Sequence, residues 1–240
     1  MPRSRRIVVP GYPHHITQRG NHRMDVFIER KDRHVFLRML GEASKLYSLG
    51  HYAYSLMTNH IHLISTPEEK DSLSRAMRDL LGSYASYFNR KYGLAGRLWQ
   101  GRFYSAVLDD AHFLTAIRYA ERNAVRAGMV KRAEDYEWSS AACHCGIRAD
   151  AHLMPLPAAA EFIHDWSKWL AEEGDQEQIK RIRNNTKTGF PCGSDLFIKE
   201  LEIILGRPIK RGQVGRPKRV GVGMEEQMPI GLYQMDLIKK

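Results

Sequence analysis

At 240 residues, 43% hydrophobic and 10% aromatic, the chain is long enough to bury a core and too apolar to be disordered. Its 37 Lys+Arg against 27 Asp+Glu leave a net charge of +10, which points to a polyanionic partner, most simply nucleic acid. Three cysteines (Cys143, Cys145 and Cys192) exclude a disulfide framework, and no apolar run approaches the ~20 residues of a membrane span. The basic start Met-Pro-Arg-Ser-Arg-Arg is not followed by a secretory apolar core, so a cytoplasmic protein without membrane association is expected.

In chain order, residues 12–19 predict a short strand, closed by a Gly20-Asn21 turn. From Lys31 to Leu49 the stripe Phe36, Leu40, Ala43 and Tyr47 predicts an amphipathic helix, with Gly50 as its stop. A strand over roughly 51–57 turns at Thr58-Asn59 into a second one carrying His60 and His62, and Pro67 ends the pair. Leu73, Met77, Leu81, Tyr84 and Phe88 mark a long helix closed near Gly93. Residues 102–108 read as a fourth strand, and Asp109-Asp110 as the cap of a helix over about 111–124. That order predicts an α+β, ferredoxin-like antiparallel sheet with helices on one face, over residues 1–150.

A mainly helical, basic extension follows over 151–219. Helices are expected at 158–172 and 195–205, with Arg181–Lys187 as a polar basic link between them. Residues 206–219 hold six basic residues and no acidic one, and 220–240 read as a flexible tail.

His60 and His62 alternate in a strand, so both imidazoles leave one face while Ile61 and Leu63 leave the other. Two imidazoles on a rigid strand are half of a divalent-metal site. Tyr119 and Asn123, four apart, fall on one helical face with His112 and Thr115, while Phe113, Ile117 and Ala120 form the core stripe. The Asn123 amide oxygen could complete a His-His-carbonyl site, beside which a tyrosine oxygen could attack phosphorus. A free tyrosine is ionised only to about a thousandth at neutral pH, a cost of roughly 4 kcal/mol that a nearby cation or base must offset. The residues alone also allow structural histidines, a packing tyrosine and an asparagine that simply ends its helix. Cys143-His144-Cys145 fails as a metal site, because adjacent residues cannot converge on one tetrahedral centre. It reads instead as the end of a short packing helix.

For DNA contact, Arg97, Trp99, Arg102, Phe103 and Tyr104 interleave positive charge with aromatic rings. Trp99 and Phe103 serve equally well as core aromatics. Arg19 and Asn21 follow the first strand, and Arg216, Lys218 and Arg219 have the composition of a minor-groove hook or of a solvated tail.

Three motifs together, Asn59-His-Ile-His62, Gly96-Arg-Leu-Trp-Gln-Gly-Arg-Phe-Tyr104 and Arg118-Tyr-Ala-Glu-Arg-Asn-Ala-Val-Arg-Ala-Gly-Met-Val130, resemble the single-tyrosine HUH transposases. Tyr12–Asn21, with His15, Arg19 and Gly20, resembles their opening strand, so the likeness covers residues 10–145 or so. Thr188-Gly-Phe-Pro-Cys-Gly-Ser-Asp195 and Gly215-Arg-Pro-Lys218 are similar to the REP-associated tyrosine transposase branch. The resemblance implies that His60, His62 and Asn123 bind Mg2+ or Mn2+, although two imidazoles alone would suit Zn2+ or Mn2+ better. It implies that Tyr119 attacks single-stranded DNA, leaving a 5′-phosphotyrosine and a free 3′-OH, on REP-type palindromes folded as hairpins. Where the family usually has proline after the asparagine, this chain has Ala124. The implied assembly is a monomer or a homodimer. Competing readings are a domesticated hairpin-binding protein without catalysis and a small metallohydrolase with a water nucleophile.

Overall fold

A computed structural model describes residues 6–209. Arg216, Lys218, Arg219 and the 220–240 tail lie outside the described residues. Four strands, β1 (His14–Arg19), β2 (Leu49–Leu56), β3 (His60–Pro67) and β4 (Tyr104–Val107), form one antiparallel sheet in the order β2-β3-β1-β4. That is the α+β, ferredoxin-like order the sequence predicts.

Helices α1 (Arg30–Tyr47) and α2 (Ser72–Tyr92) pack on each other and on one sheet face. Phe36, Leu40 and Ala43 of α1 meet Leu73, Met77, Leu81, Tyr84 and Phe88 of α2 over Ile16, Tyr54, Leu56, Ile61 and Leu63 of the strands. These are the stripes the sequence spacing predicts, because positions three and four apart share a helix face. The end of α1 differs from expectation. Ser48 takes the left-handed cap conformation (φ 48°), and Gly50 already lies within β2. The paired strand claims its residues from Leu49 onward, so the helix must stop before the glycine.

Helices were expected on one face only, but the other sheet face carries α3 (Asp110–Glu121), whose Phe113, Ala116, Ile117 and Ala120 cover Ala53, Ile64 and Ala106 because its apolar stripe needs the second face of the sheet to pack on. The short helices α4 (Asn123–Arg126) and α5 (Ala141–His144) follow, with the cysteine pair at the end of α5 as expected. Beyond residue 150 lie α6 (Trp166–Ala171), α7 (Gln176–Thr188) and α8 (Asp195–Leu205). Trp166, Leu170, Ile182 and Cys192 are buried in the same core as α3.

Residues 181–187, expected as a polar link, are helical. Asp175 caps α7 through the Glu177 and Gln178 amides, Gly189 closes it at φ 79°, and buried Ile182 and Thr186 form its narrow inner face. So sparse a stripe suffices because α7 lies in the groove between β4 and α3, which cover its inner side.

Candidate active site

The pleat of β3 sends Ile61 and Leu63 into the α1–α2 core and turns His60, His62 and Ile64 toward α3. His60 pairs in register with Arg19 and His62 with Thr17 on β1, and His15 lies one step further on the same face. The His60 and His62 ring centroids are 5.1 Å apart.

Asp109 caps α3 through the His112 amide, and the apolar stripe pins the helix to the sheet. This places the buried Tyr119 ring edge-on over His62 at 5.4 Å and over His15 at 5.8 Å between centroids. Asn123 is not in that helix, as the sequence suggested, but opens α4 after a break at Arg122. Arg122 keeps φ −77° and ψ 2°, and its amide still reaches the Arg118 carbonyl, so Asn123 stays on the Tyr119 side. His112 and Thr115 are committed elsewhere, to Asp109 and Gln178.

Asn123 lies between two partners. Its Nδ2 is 3.4 Å from His60 Nε2, and its Oδ1 accepts from Arg126 Nη2 at 2.6 Å. Arg126 also donates to the Tyr119 hydroxyl at 3.4 Å and covers the ring, 4.5 Å from its centroid. Arg126 is thus the cation beside the tyrosine, three residues after Asn123 and seven after Tyr119. That helical spacing is its signal in the sequence, hidden by the number of arginines nearby.

Both strand histidines have Nδ1 engaged. The Asn59 amide is oriented by donation from Nδ2 to the Arg23 carbonyl, so its Oδ1 accepts from His60 Nδ1 at 2.7 Å. His62 Nδ1 meets His15 Nε2 at 2.9 Å. Burial, helped by the charges of Arg19 and Arg126, lowers His60 to about 4. Burial pushes His62 well below the ordinary value, with His15, His60 and the same arginines adding to it, and burial alone takes His15 to about 3. The cluster is neutral at physiological pH.

Neutral imidazoles with Nδ1 held and Nε2 turned inward are what a divalent cation needs from histidine. His60, His62 and the Asn123 amide therefore fit as a ligand set. No group of three or more His, Cys, Asp or Glu able to hold a metal occurs among the described residues. In this geometry Asn123 Oδ1 is occupied by Arg126, so ligation by that oxygen requires the amide to rotate away from the arginine.

The DNA-contact candidates divide. Gly20 joins β1 to a short turn that accepts no side chain: an added Cβ would lie 2.2 Å from the Met24 carbonyl oxygen and 2.8 Å from Val26 Cγ1. Backbone bonds from Gly20 to Asn59, Asn21 to Leu98 and Gln100 to Arg19 tie the turn, the histidine hairpin and the 97–102 loop into one rim. Arg97 and Arg102 are exposed there, with Arg19 and Asn21 partly so. Trp99 is a correction. It is 8% exposed, its indole N–H donates to the Leu81 carbonyl, and its ring packs on Tyr84, so it is a core residue and offers no stacking platform. Phe103 is equally buried, under the Arg6 guanidinium. Among the described residues, no helix is long and apolar enough to cross a membrane.

The family described as "Transposase IS200 like" matches residues 9–123. No curated protein matches the chain. Among solved structures, a REP-associated tyrosine transposase bound to a REP hairpin aligns with TM-score 0.50 and 19% identity, over 66% of this chain and all of that one. A candidate transposase from Deinococcus radiodurans R1 aligns with TM-score 0.36 and 16% identity, over 51% of this chain and 97% of that one. The strand histidines, the rim and Tyr119 all fall inside residues 9–123, the segment of this chain that is similar to the IS200-like transposases.

Proposed function

We propose that this protein cleaves and rejoins single-stranded DNA at a hairpin through a covalent phosphotyrosine at Tyr119. The observation that carries the reading is the placement of the Tyr119 ring against His62, with Asn123 and Arg126 on the same side of the sheet. Tyr119 Oη attacks phosphorus, the P–O3′ bond breaks, the phenol proton passes to solvent and the departing 3′-oxygen takes one up. The products are a 5′-phosphotyrosine and a free 3′-OH. The Arg126 guanidinium, beside Oη, meets the charge that develops on the tyrosine oxygen and the phosphoryl group.

His60, His62 and Asn123 would hold Mg2+ or Mn2+, which supplies polarisation of a phosphoryl oxygen. Arg19, Arg97 and Arg102 on the rim would hold the strand by its phosphates, with Asn21 at the hairpin foot. A REP-type hairpin as substrate is supported by the hairpin held in the structurally similar transposase.

The test is incubation of the full chain with labelled hairpin DNA and Mn2+, followed by denaturing electrophoresis. An adduct that survives denaturant and vanishes in Tyr119→Phe supports the reading. An adduct of equal yield in Tyr119→Phe overturns it.

The contact between Asn123 Oδ1 and Arg126 favours a second reading, hairpin binding without cleavage, because it occupies the amide oxygen. Salt-sensitive binding that is indifferent to His60→Ala, with no adduct under any metal, would establish that reading instead.

A further inference from the structure

Helix α7 lies outside the family-matched segment, yet it reaches the histidine cluster through one side chain. Thr186 Oγ1 is 2.8 Å from His15 Nδ1, and His15 Nε2 is 2.9 Å from His62 Nδ1. All three residues are buried: Thr186 is 3% exposed, His15 1% and His62 5%. The two imidazole planes are 12° apart with centroids at 5.2 Å. That separation is one N···N contact plus two ring radii, so the rings meet edge to edge through an in-plane N–H···N bond rather than face to face.

Two proton arrangements satisfy this chain. In one, His62 Nδ1–H donates to His15 Nε2, and His15 Nδ1–H donates to Thr186 Oγ1. His62 Nε2 then presents a lone pair to the site. In the other, Thr186 Oγ1–H donates to His15, His15 Nε2–H donates to His62 Nδ1, and the proton of His62 sits on Nε2, where a cation could not bind. His60 has no such choice, since the Asn59 oxygen only accepts and so holds the proton of His60 on Nδ1.

We propose that Thr186 is a positioning residue: it accepts from His15 and so fixes His62 as the Nδ1–H tautomer, making α7 part of the catalytic unit. Thr186 makes its side-chain hydrogen bond to His15, not to His60 or His62, and acts through His15. The choice of the first arrangement and its consequence for cation affinity rest on the metal reading above. The Thr186–His15–His62 chain of contacts does not, and its tautomer can be read without any metal.

The test uses the full chain with 15N-labelled histidine, free of metal and at neutral pH, as wild type, Thr186→Ser and Thr186→Val. Long-range 1H–15N NMR reports the His62 tautomer, and calorimetry with MnCl2 reports affinity. Wild type and Thr186→Ser are expected to show His62 protonated on Nδ1. Thr186→Val, which keeps the shape and lacks the acceptor, should populate the Nε2–H form and bind Mn2+ about 10-fold more weakly or worse. A wild-type His62 protonated on Nε2 overturns the proposal, and this needs no variant to fold. Unchanged tautomer and unchanged Mn2+ affinity in a folded Thr186→Val also overturn it. A tautomer that shifts in Thr186→Val while wild type binds no Mn2+ supports the relay and removes the metal reading alone.

Discussion

Arg126 bridges Tyr119 and Asn123: one guanidinium nitrogen lies 2.6 Å from the Asn123 amide oxygen and 3.4 Å from the Tyr119 hydroxyl. The two site residues of α3 and α4 are therefore coupled through a cation, across the break at Arg122.

Arg126→Ala removes that bridge. A charge-assisted hydrogen bond contributes about 2 kcal/mol, or roughly 30-fold in rate. Adduct formation with labelled hairpin DNA should slow by that order, while hairpin affinity, which the proposed function assigns to the rim arginines, should change less. Arg126→Lys keeps the charge but not the two-way reach, and should recover part of the rate. An unchanged single-turnover rate in Arg126→Ala would remove this residue from the chemistry.

Trp99 and Arg102 sit three residues apart in one loop and should behave as opposites. Trp99→Ala empties a core site against Tyr84 and should cost about 3–5 kcal/mol in denaturant unfolding. The exposed Arg102→Ala should leave unfolding nearly unchanged, weaken DNA binding and lower the slope of affinity against salt by about one phosphate contact. If Trp99→Ala unfolds like wild type and loses DNA binding instead, the burial described for it is wrong.

Acid should unfold the protein in a window set by its buried histidines, those of the cluster and two outside it. Burial lowers His14 to about 4 against a weak opposing pull from its bond to the Tyr12 carbonyl, and burial with the charge of His152 lowers His51 to about 4. Both titrate near 6.5 when unfolded. Between 6.5 and 4 the unfolded chain therefore binds more protons than the folded one, so stability is fully present above 6.5 and declines as pH falls. Each histidine adds a slope approaching about 1.4 kcal/mol per pH unit. Denaturant midpoints at pH 7.5, 6 and 5, taken without metal, should decrease steadily below 6.5. Equal midpoints across this series would show that these side chains are not buried as neutral groups.

Much of the frame was readable from local pattern. The stripe of Phe36, Leu40 and Ala43, the stripe from Leu73 to Phe88 and the period-two placing of His60 and His62 each depend on residues a few positions apart, where helix and strand geometry dictate which side chains share a face. The +10 charge and the order of strands and helices narrowed the partner and the fold in the same way.

Whatever depends on distant segments was decided only by folding. Gly50 looks like a helix stop, but the partner strand takes the chain at Leu49 first. Trp99 reads equally as platform or core until α2 arrives beneath it. The polar run 181–187 looks like a linker because most of its face is solvated, and only the groove between α3 and β4 gives Ile182 and Thr186 a place to pack. By itself the sequence determined two histidines, a tyrosine and an asparagine set out at strand and helix spacings. The tertiary structure added Arg126 beside Tyr119 and, 171 residues along the chain from His15, Thr186 beneath the cluster. A buried hydrogen bond between such remote residues leaves no local periodicity, since it exists only once both have been desolvated against the same sheet face.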